Sequence, residues 1–244
     1  MDTKISFWHR ITDFISPQSC VVCGRRLALT EVVICSSCNL ALPRTDFAAA
    51  PYDNIMAKSF WGRMAVERAA ALLYYQSHSE VASLIYEIKY AGDDEAGVFW
   101  GKMAAKEMLA TCHTEPETGK KQTFFEGIDA IVPVPLSKRR ERERGYNQSR
   151  EIAKGVAEIT GLPLVDKTVV RKVFKESQTH KGRWERNANV EGVFALQDGR
   201  AIDGKHLLIV DDIVTTGATV CSLAQELGKA GKVRLSILSI GFTK

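Results

Sequence analysis

Two adjacent carboxylates follow an apolar run in "LLIVDDIVTTGATV", residues 207–220. Carboxylates beside a buried strand are costly unless something partners them, so Asp211 and Asp212 call for a ligand. The residues supply a strand through Val210, a turn made by Thr215, Thr216, Gly217, Ala218 and Thr219, and a helix starting around Thr219. Such a turn offers backbone N–H groups, hydroxyl donors and the positive end of a helix dipole, which together cradle a phosphate monoester. Gly217 lets the backbone approach that anion with no side chain between. The aspartates would repel a phosphate, but they suit the two hydrogen bonds of a vicinal diol beside it. Phosphate and diol at this separation describe a ribose 5-phosphate. The plainer alternative, a strand-end turn with an N-cap, accounts for a lone Asp-Asp pair but not for the whole D-D-x-x-T-T-G-x-T pattern between strand and helix. The nucleotide P-loop pattern G-x-x-x-x-G-K-[ST] is absent from the sequence.

A second constellation lies near the start. Cys20 and Cys23 form "CVVC", Cys35 and Cys38 form "CSSC", and 11 residues separate the pairs. Each C-x-x-C can turn two thiolates toward one ion, and Gly24 suits the tight knuckle that aims N–H groups at sulfur. Four sulfurs complete a closed tetrahedral site, so the site is expected to be structural, with zinc leading and iron the alternative. Unligated thiols or redox pairs are the competing reading. Cys112 and Cys221 stand alone and read as ordinary packing residues.

Basic residues gather in two runs, "SKRRERERGYNQSR" (137–150) and "RKVFKESQTHKGRWER" (171–186). Across all 244 residues the net charge is only +4, and 45% hydrophobic with 25% charged residues describes a soluble globular chain. No apolar stretch reaches the roughly 18 residues of a membrane span. The first 20 residues show no leader-type apolar region or cleavage site, so a cytoplasmic address and no membrane insertion are expected.

The elements that must position these groups can be read from periodicity. Residues 1–45 are expected to form the metal module, with Trp8, Ile11, Phe14 and Ile15 on a short helix, and "FAAAPYDN" with Leu42-Pro43 a linker. Residues 46–244 form the main domain. Its first half predicts a strand at 69–76, a helix with Val81, Leu84, Ile85 and Ile88 inward that stops at Gly92, and a helix carrying Trp100, Ala104 and Met108. Residues 113–122 read as a polar loop. From residue 128 strand and helix alternate: "DAIVPVP", a basic loop, a helix with Ile152, Val156 and Ile159, "KTVVRKV", a long polar loop, "GVFAL", "HLLIV", the 219–231 helix and "VRLSILSIGF". That alternation implies an α/β fold, a mainly parallel sheet flanked by helices, with ligands at the carboxyl ends of the strands.

The 207–220 stretch resembles the phosphoribosyl-pyrophosphate (PRPP) motif of type I phosphoribosyltransferases. Taken with the cysteine tetrad, "IKYAGD" (88–93), "IVPVPLSKRRERERGYNQ" (131–148) and "Q…R.ER..NV.G.F" (178–194), the chain is similar to the ComF family over nearly its whole length. The resemblance implies a type I phosphoribosyltransferase-like domain with a small zinc-ribbon-like module. It implies a ribose-diol role for Asp211 and Asp212 and a 5-phosphate loop at Thr215, Thr216, Gly217, Ala218 and Thr219. It places the pyrophosphate loop at 135–148, with Arg140 and Arg144 as its cations and Lys89 within reach. It also makes 178–190 a loop that closes over PRPP, with Gln178, Arg183 and Arg186 matching and Lys181 departing from the pattern. Mg²⁺ would accompany PRPP.

Two functional classes remain open at this stage. One is a transferase that stabilises an oxocarbenium-like ribose by positioning and charge, with no catalytic residue assigned. Thr215 stands where 6-oxopurine transferases carry an aspartate base, so such an acceptor is disfavoured. No glutaminase nucleophile is evident. The other class is a non-catalytic adaptor for natural competence, binding PRPP or a nucleotide as effector. Its basic loops would meet single-stranded DNA, with Tyr146 and Trp184 available for stacking. The resemblance implies a DNA-uptake helicase and a recombination mediator as its partners.

Overall fold

Four apolar runs pair side by side in the computed structural model, which describes residues 18–90, 94–172 and 192–244. They are β1 (Arg68–Tyr75), β4 (Ala130–Pro133), β7 (His206–Val214) and β8 (Arg234–Thr243), and they form one parallel sheet in the order β1-β8-β7-β4. Strands buried on both faces should read as continuous apolar runs rather than alternating ones, and β7 and β8 do. Pro133 ends β4, where it lacks an N–H for a further ladder bond, and β4 accordingly lies at a sheet edge.

Helices cover the sheet: α3 (Glu80–Tyr90), α4 (Asp94–Ala110), α6 (Gln148–Thr160) and α7 (Ala218–Gly228). Helices α4 and α6 cross at glycine: a Cβ on Gly101 would stand 2.0 Å from the Ile152 carbonyl oxygen, and one on Gly155 would stand 2.1 Å from that of Val98. This backbone contact fixes α6 rigidly, with Asn147 capping its first turn through the Ser149 N–H. Val220, Leu223, Ala224 and Leu227 of α7 face the core, as their spacing predicts. None of the helices among the described residues is long and apolar enough to cross a membrane.

Four expectations change. Strand β7 does not end at Val210: Asp211 pairs with Ser239, Ile213 with Gly241 and Val214 with Phe242, so the aspartates lie within the strand. Parallel pairing to β8 supplies ladder partners that the carboxylates alone do not disrupt. Residues 113–122 are not a plain loop, because β2 (Cys112–Thr114) and β3 (Lys121–Thr123) close them into a hairpin. The basic loop contains a helix, α5 (Lys138–Arg144), capped by Ser137 at one end and by Gly145 at φ +85° at the other.

The expected linker is a packed strap. Arg44 bridges Leu73, Thr45 N–H donates to the Leu72 carbonyl, Tyr74 N–H to that of Pro43, and Ala69 N–H to that of Pro51. Phe47, Met56 and Phe60 are buried beneath it. The strap, which follows the short helix α1 (Ser36–Ala41) and includes the short helix α2 (Ile55–Lys58), thereby covers the open edge of β1. Asn54 anchors its middle, accepting from the Met56 and Ala57 N–H groups and donating to the Ala69 carbonyl. The helix read from Trp8, Ile11, Phe14 and Ile15 and the stop at Gly92 lie outside the described residues.

Candidate functional site

A cleft of about 450 Å³ opens at the carboxyl end of the sheet, lined among others by Lys89, Arg140, Arg144, Asp211, Asp212, Thr215 and Thr219. Residues from α3, α5, β7 and the following turn, read separately from the sequence, therefore share one wall. Thr216, Gly217 and Ala218 complete the turn without lining the cleft. Gln178, Arg183 and Arg186 lie outside the described residues, as do Lys181 and Trp184.

Asp211 is buried and Asp212 half-buried. Asp211 Oδ1 accepts from Ser149 Oγ at 2.9 Å and from the Asp212 N–H at 2.9 Å. Its Oδ2 has no hydrogen-bond partner among the described residues, leaving an acceptor free for a ligand hydroxyl. Burial, and then the neighbouring Asp212 charge, push the Asp211 carboxyl up to about 7; the Ser149 and Asp212 donors and the Lys89 cation pull the other way without matching them. Asp212 is held differently. Its Oδ1 accepts from the Ile213 N–H at 2.7 Å, and its Oδ2 pairs with Lys89 Nζ at 3.1 Å.

The cleft's cations come from three elements. Arg144 stacks over Tyr90 with its guanidinium carbon 4.9 Å from the ring centre, and Nη2 donates to the tyrosine hydroxyl at 3.2 Å. Arg140 is exposed at the rim. Arg171, at the end of β5 (Val169–Arg171), also lines the cleft and lies over the ring of Phe194 in β6 (Phe194–Leu196). Burial first, and then the Arg140 charge, lower its pKa. The sequence places Arg171 in the second basic run without marking it as a site residue. It also leaves Ser149 and Gln148 unmarked, because only the α6 packing brings that helix start against Asp211.

The turn itself is shaped as expected. Gly217 sits at φ +70° as the N-cap of α7 and has no side chain of its own to cap the helix, while the Ala218 N–H makes a long 3.4 Å contact to Thr216 Oγ1. The end of α7 can thus turn N–H groups toward an anion.

The cysteines converge at the other end of the described chain. The four Sγ atoms of Cys20, Cys23, Cys35 and Cys38 lie within 4.8 Å of one another, with Cys23 and Cys35 at 3.8 Å. Tetrahedral Zn–S bonds of about 2.3 Å require sulfurs about 3.8 Å apart, so the cluster fits a metal ion. The Cys35 N–H points at Cys20 Sγ and the Cys38 N–H at Cys35 Sγ, which suits thiolates. Burial opposes ionisation of Cys20, but the N–H groups of Cys35, Cys23 and Val22 outweigh it and bring that thiol down to about 6.

Residues 145–238 match the model of the phosphoribosyl transferase domain. The chain is 27% identical over 228 residues to the DNA utilization protein YhgH of Salmonella typhimurium, covering 91% of this chain and 95% of that one. It is 36% identical over 106 residues to the competence protein ComFC of Bacillus subtilis, covering 42% and 41%. A solved structure of the allosteric regulatory enzyme of purine biosynthesis aligns at 20% identity and a TM-score of 0.39, over 63% of this chain and 30% of that one.

Proposed function

We propose that this chain, a homologue of the YhgH and ComF-type proteins with a phosphoribosyl transferase domain, binds PRPP or another ribose 5-phosphate ligand in the cleft at the end of β7. The observation that carries this reading is the convergence of Asp211, Asp212, Thr215 and Thr219 with Lys89, Arg140 and Arg144 on one cleft. Asp211, through its free Oδ2, and Asp212 accept the ribose hydroxyls. The Thr215–Thr219 turn and the start of α7 hold the 5-phosphate. Arg140, Arg144 and Arg171 face the pyrophosphate, and Lys89 exchanges its pairing with Asp212 for the ligand's anion. Gln178, Arg183 and Arg186 belong to the same proposal as residues of a closing loop. Mg²⁺ enters with PRPP as the counterion of its phosphate oxygens. If a transfer reaction follows, these side chains act by orienting the ribose and neutralising the departing pyrophosphate. Thr215 stays neutral and takes no proton, so a 6-oxopurine is not the acceptor.

Calorimetry with PRPP and Mg²⁺ tests the pocket. The wild-type chain should bind, and Asp211→Asn combined with Asp212→Asn should lose binding beyond detection; equal binding by the variant removes the diol reading. A screen for pyrophosphate release across nucleobases and amines then separates a transferase from a protein that only holds the ligand.

A second reading, a single-stranded nucleic-acid adaptor in DNA uptake, is favoured by a specific surface. Tyr86 and Tyr90 are 64% and 55% exposed with ring centres 4.8 Å apart. Arg144 lies over the Tyr90 ring, and Arg139 and Arg142 are exposed on the same helix α5. Exposed aromatics beside arginines suit stacked bases and their phosphates. Tyr146 is not such a platform, since its hydroxyl donates to the Ile88 carbonyl at 2.8 Å and its ring is half-buried. Single-strand affinity should fall steeply with salt. Replacing Tyr86 and Tyr90 by alanine should weaken it by about tenfold or more, and affinity indifferent to both changes eliminates this surface. The helicase and recombination-mediator partners belong to this second reading, and the cytoplasm is the compartment in which both readings place the chain.

A further inference from the structure

The turn that would hold the 5-phosphate is braced by the strap. Arg63 Nη1 donates to the Thr216 carbonyl oxygen at 2.5 Å and to that of Ser59 at 3.2 Å. Phe60, fully buried, sets its ring against Gly217, where an added Cβ would stand 2.6 Å from Cε1. Neither Arg63 nor Phe60 lines the cleft. Both contact the turn directly.

The carbonyl and N–H of a trans peptide point in opposite directions. With the Thr216 carbonyl held by Arg63, the Gly217 N–H of the same peptide unit points away from the guanidinium. The turn does not enforce this by itself. Gly217, at φ +70° and ψ 4°, accepts either sign of φ, so rotation of the 216–217 peptide plane costs little. A rotated peptide would turn a carbonyl oxygen, rather than an N–H donor, toward an incoming anion. Arg63 meets the carbonyl with a charge-assisted hydrogen bond in only one of the two orientations.

We propose that Arg63 is a positioning residue that locks the Thr216–Gly217 peptide in its anion-accepting orientation, with Phe60 as the wall that keeps the position glycine-only. The nature of the anion rests on the phosphoribosyl reading; the lock itself does not. The strap that carries Arg63 also carries Arg44, whose Nη2 donates to Asn39 Oδ1 at 2.8 Å, beside the cysteine cluster. One continuous packed segment therefore runs from the metal module to the phosphate turn.

The test uses the full chain as wild type, Arg63→Ala and Arg63→Lys, with ribose 5-phosphate as the calorimetric probe and the ¹⁵N amide signal of Gly217 as a ligand-free readout. Arg63→Ala should bind about tenfold more weakly, Arg63→Lys should recover most of that loss, and the melting temperature should change little. In Arg63→Ala the Gly217 amide should shift or broaden as the peptide samples both orientations. Equal affinity in wild type and Arg63→Ala overturns the lock. Should wild type itself not bind ribose 5-phosphate, the phosphoribosyl reading fails separately, and the amide then decides: an unmoved Gly217 signal overturns the lock, a broadened one supports it.

Discussion

Asp211→Asn should melt at a higher temperature than wild type at pH 8 while losing its ligand. In the unfolded chain this carboxyl ionises near the ordinary 3.8, whereas burial and the adjacent Asp212 charge hold it near 7 in the fold. Below pH 4 it is protonated in both states and contributes no difference. As pH rises from about 4 to 7 the unfolded chain releases its proton first, so folding is progressively disfavoured; above 7 the penalty is constant. A shift of this size amounts to ~2–4 kcal/mol. Asparagine removes the charge and keeps the geometry, because its Oδ1 can still accept from Ser149 and the Asp212 N–H. Its Nδ2 takes the place of the oxygen that has no protein partner. The expected gain in melting temperature is on the order of 5 °C at pH 8, falling to under half of that at pH 5 and vanishing below pH 4. Paired melts of the two chains measure it, since acid losses common to both cancel. A variant less stable than wild type at pH 8, or a difference that ignores pH, would show that Asp211 carries no buried-charge penalty. A carboxylate that weakens its own fold at working pH is explicable if it serves a ligand.

The same residue marks how far the sequence could be read. Asp211, Asp212 and the Thr215–Thr219 turn were legible because their types and spacing are chemical by themselves, and the cysteine pairs for the same reason. Strands β1, β4, β7 and β8 were legible as uninterrupted apolar runs. What escaped depends on contacts distant in the chain. Ser149 reaches Asp211 only because Gly101 and Gly155 let α4 and α6 touch backbone to backbone. The strap looked like a linker because its Pro- and Ala-rich stretch imitates one. Its role comes from an open β1 edge that local sequence does not announce. Strand β7 was read too short because two carboxylates look like a terminus, although ladder pairing is a backbone property that they do not interrupt. Within the basic run, Ser137 and Gly145 were cap signals for α5, masked by the density of charge between them.

Removing metal should unfold the cysteine module while the sheet survives. The described part of the proposed 1–45 module has few buried apolar residues besides its cysteines, chiefly Leu27, Val33, Ile34 and Leu42. A core of that size cannot offset the chain entropy of ordering two knuckles. Binding of a structural zinc ion, about 10–16 kcal/mol in small zinc modules, is large enough to do so. Purified chain should hold one zinc per molecule by elemental analysis, and iron in its place would reveal itself by visible absorption. Strong chelation, or Cys20→Ser with Cys35→Ser, should remove hydrogen-exchange protection from the amides of Cys20, Gly24 and Asn39, which donate within the knuckles to Arg25, Cys20 and Cys35. Protection in β7 and β8 should persist, because Leu208, Ile209, Ile237 and Leu238 are fully buried and the ladder between the two strands is independent of the knuckles. The strap is the informative middle. Arg44 grips both Asn39 of the module and Glu107 of α4, the latter at 2.8 Å, so protection should fade along it from residue 43 and recover by Asn54, whose side chain is tied to β1. Because thiolates must form, metal affinity should fall as pH drops. A metal-free chain with unchanged knuckle protection would mean that the four sulfurs converge for packing alone.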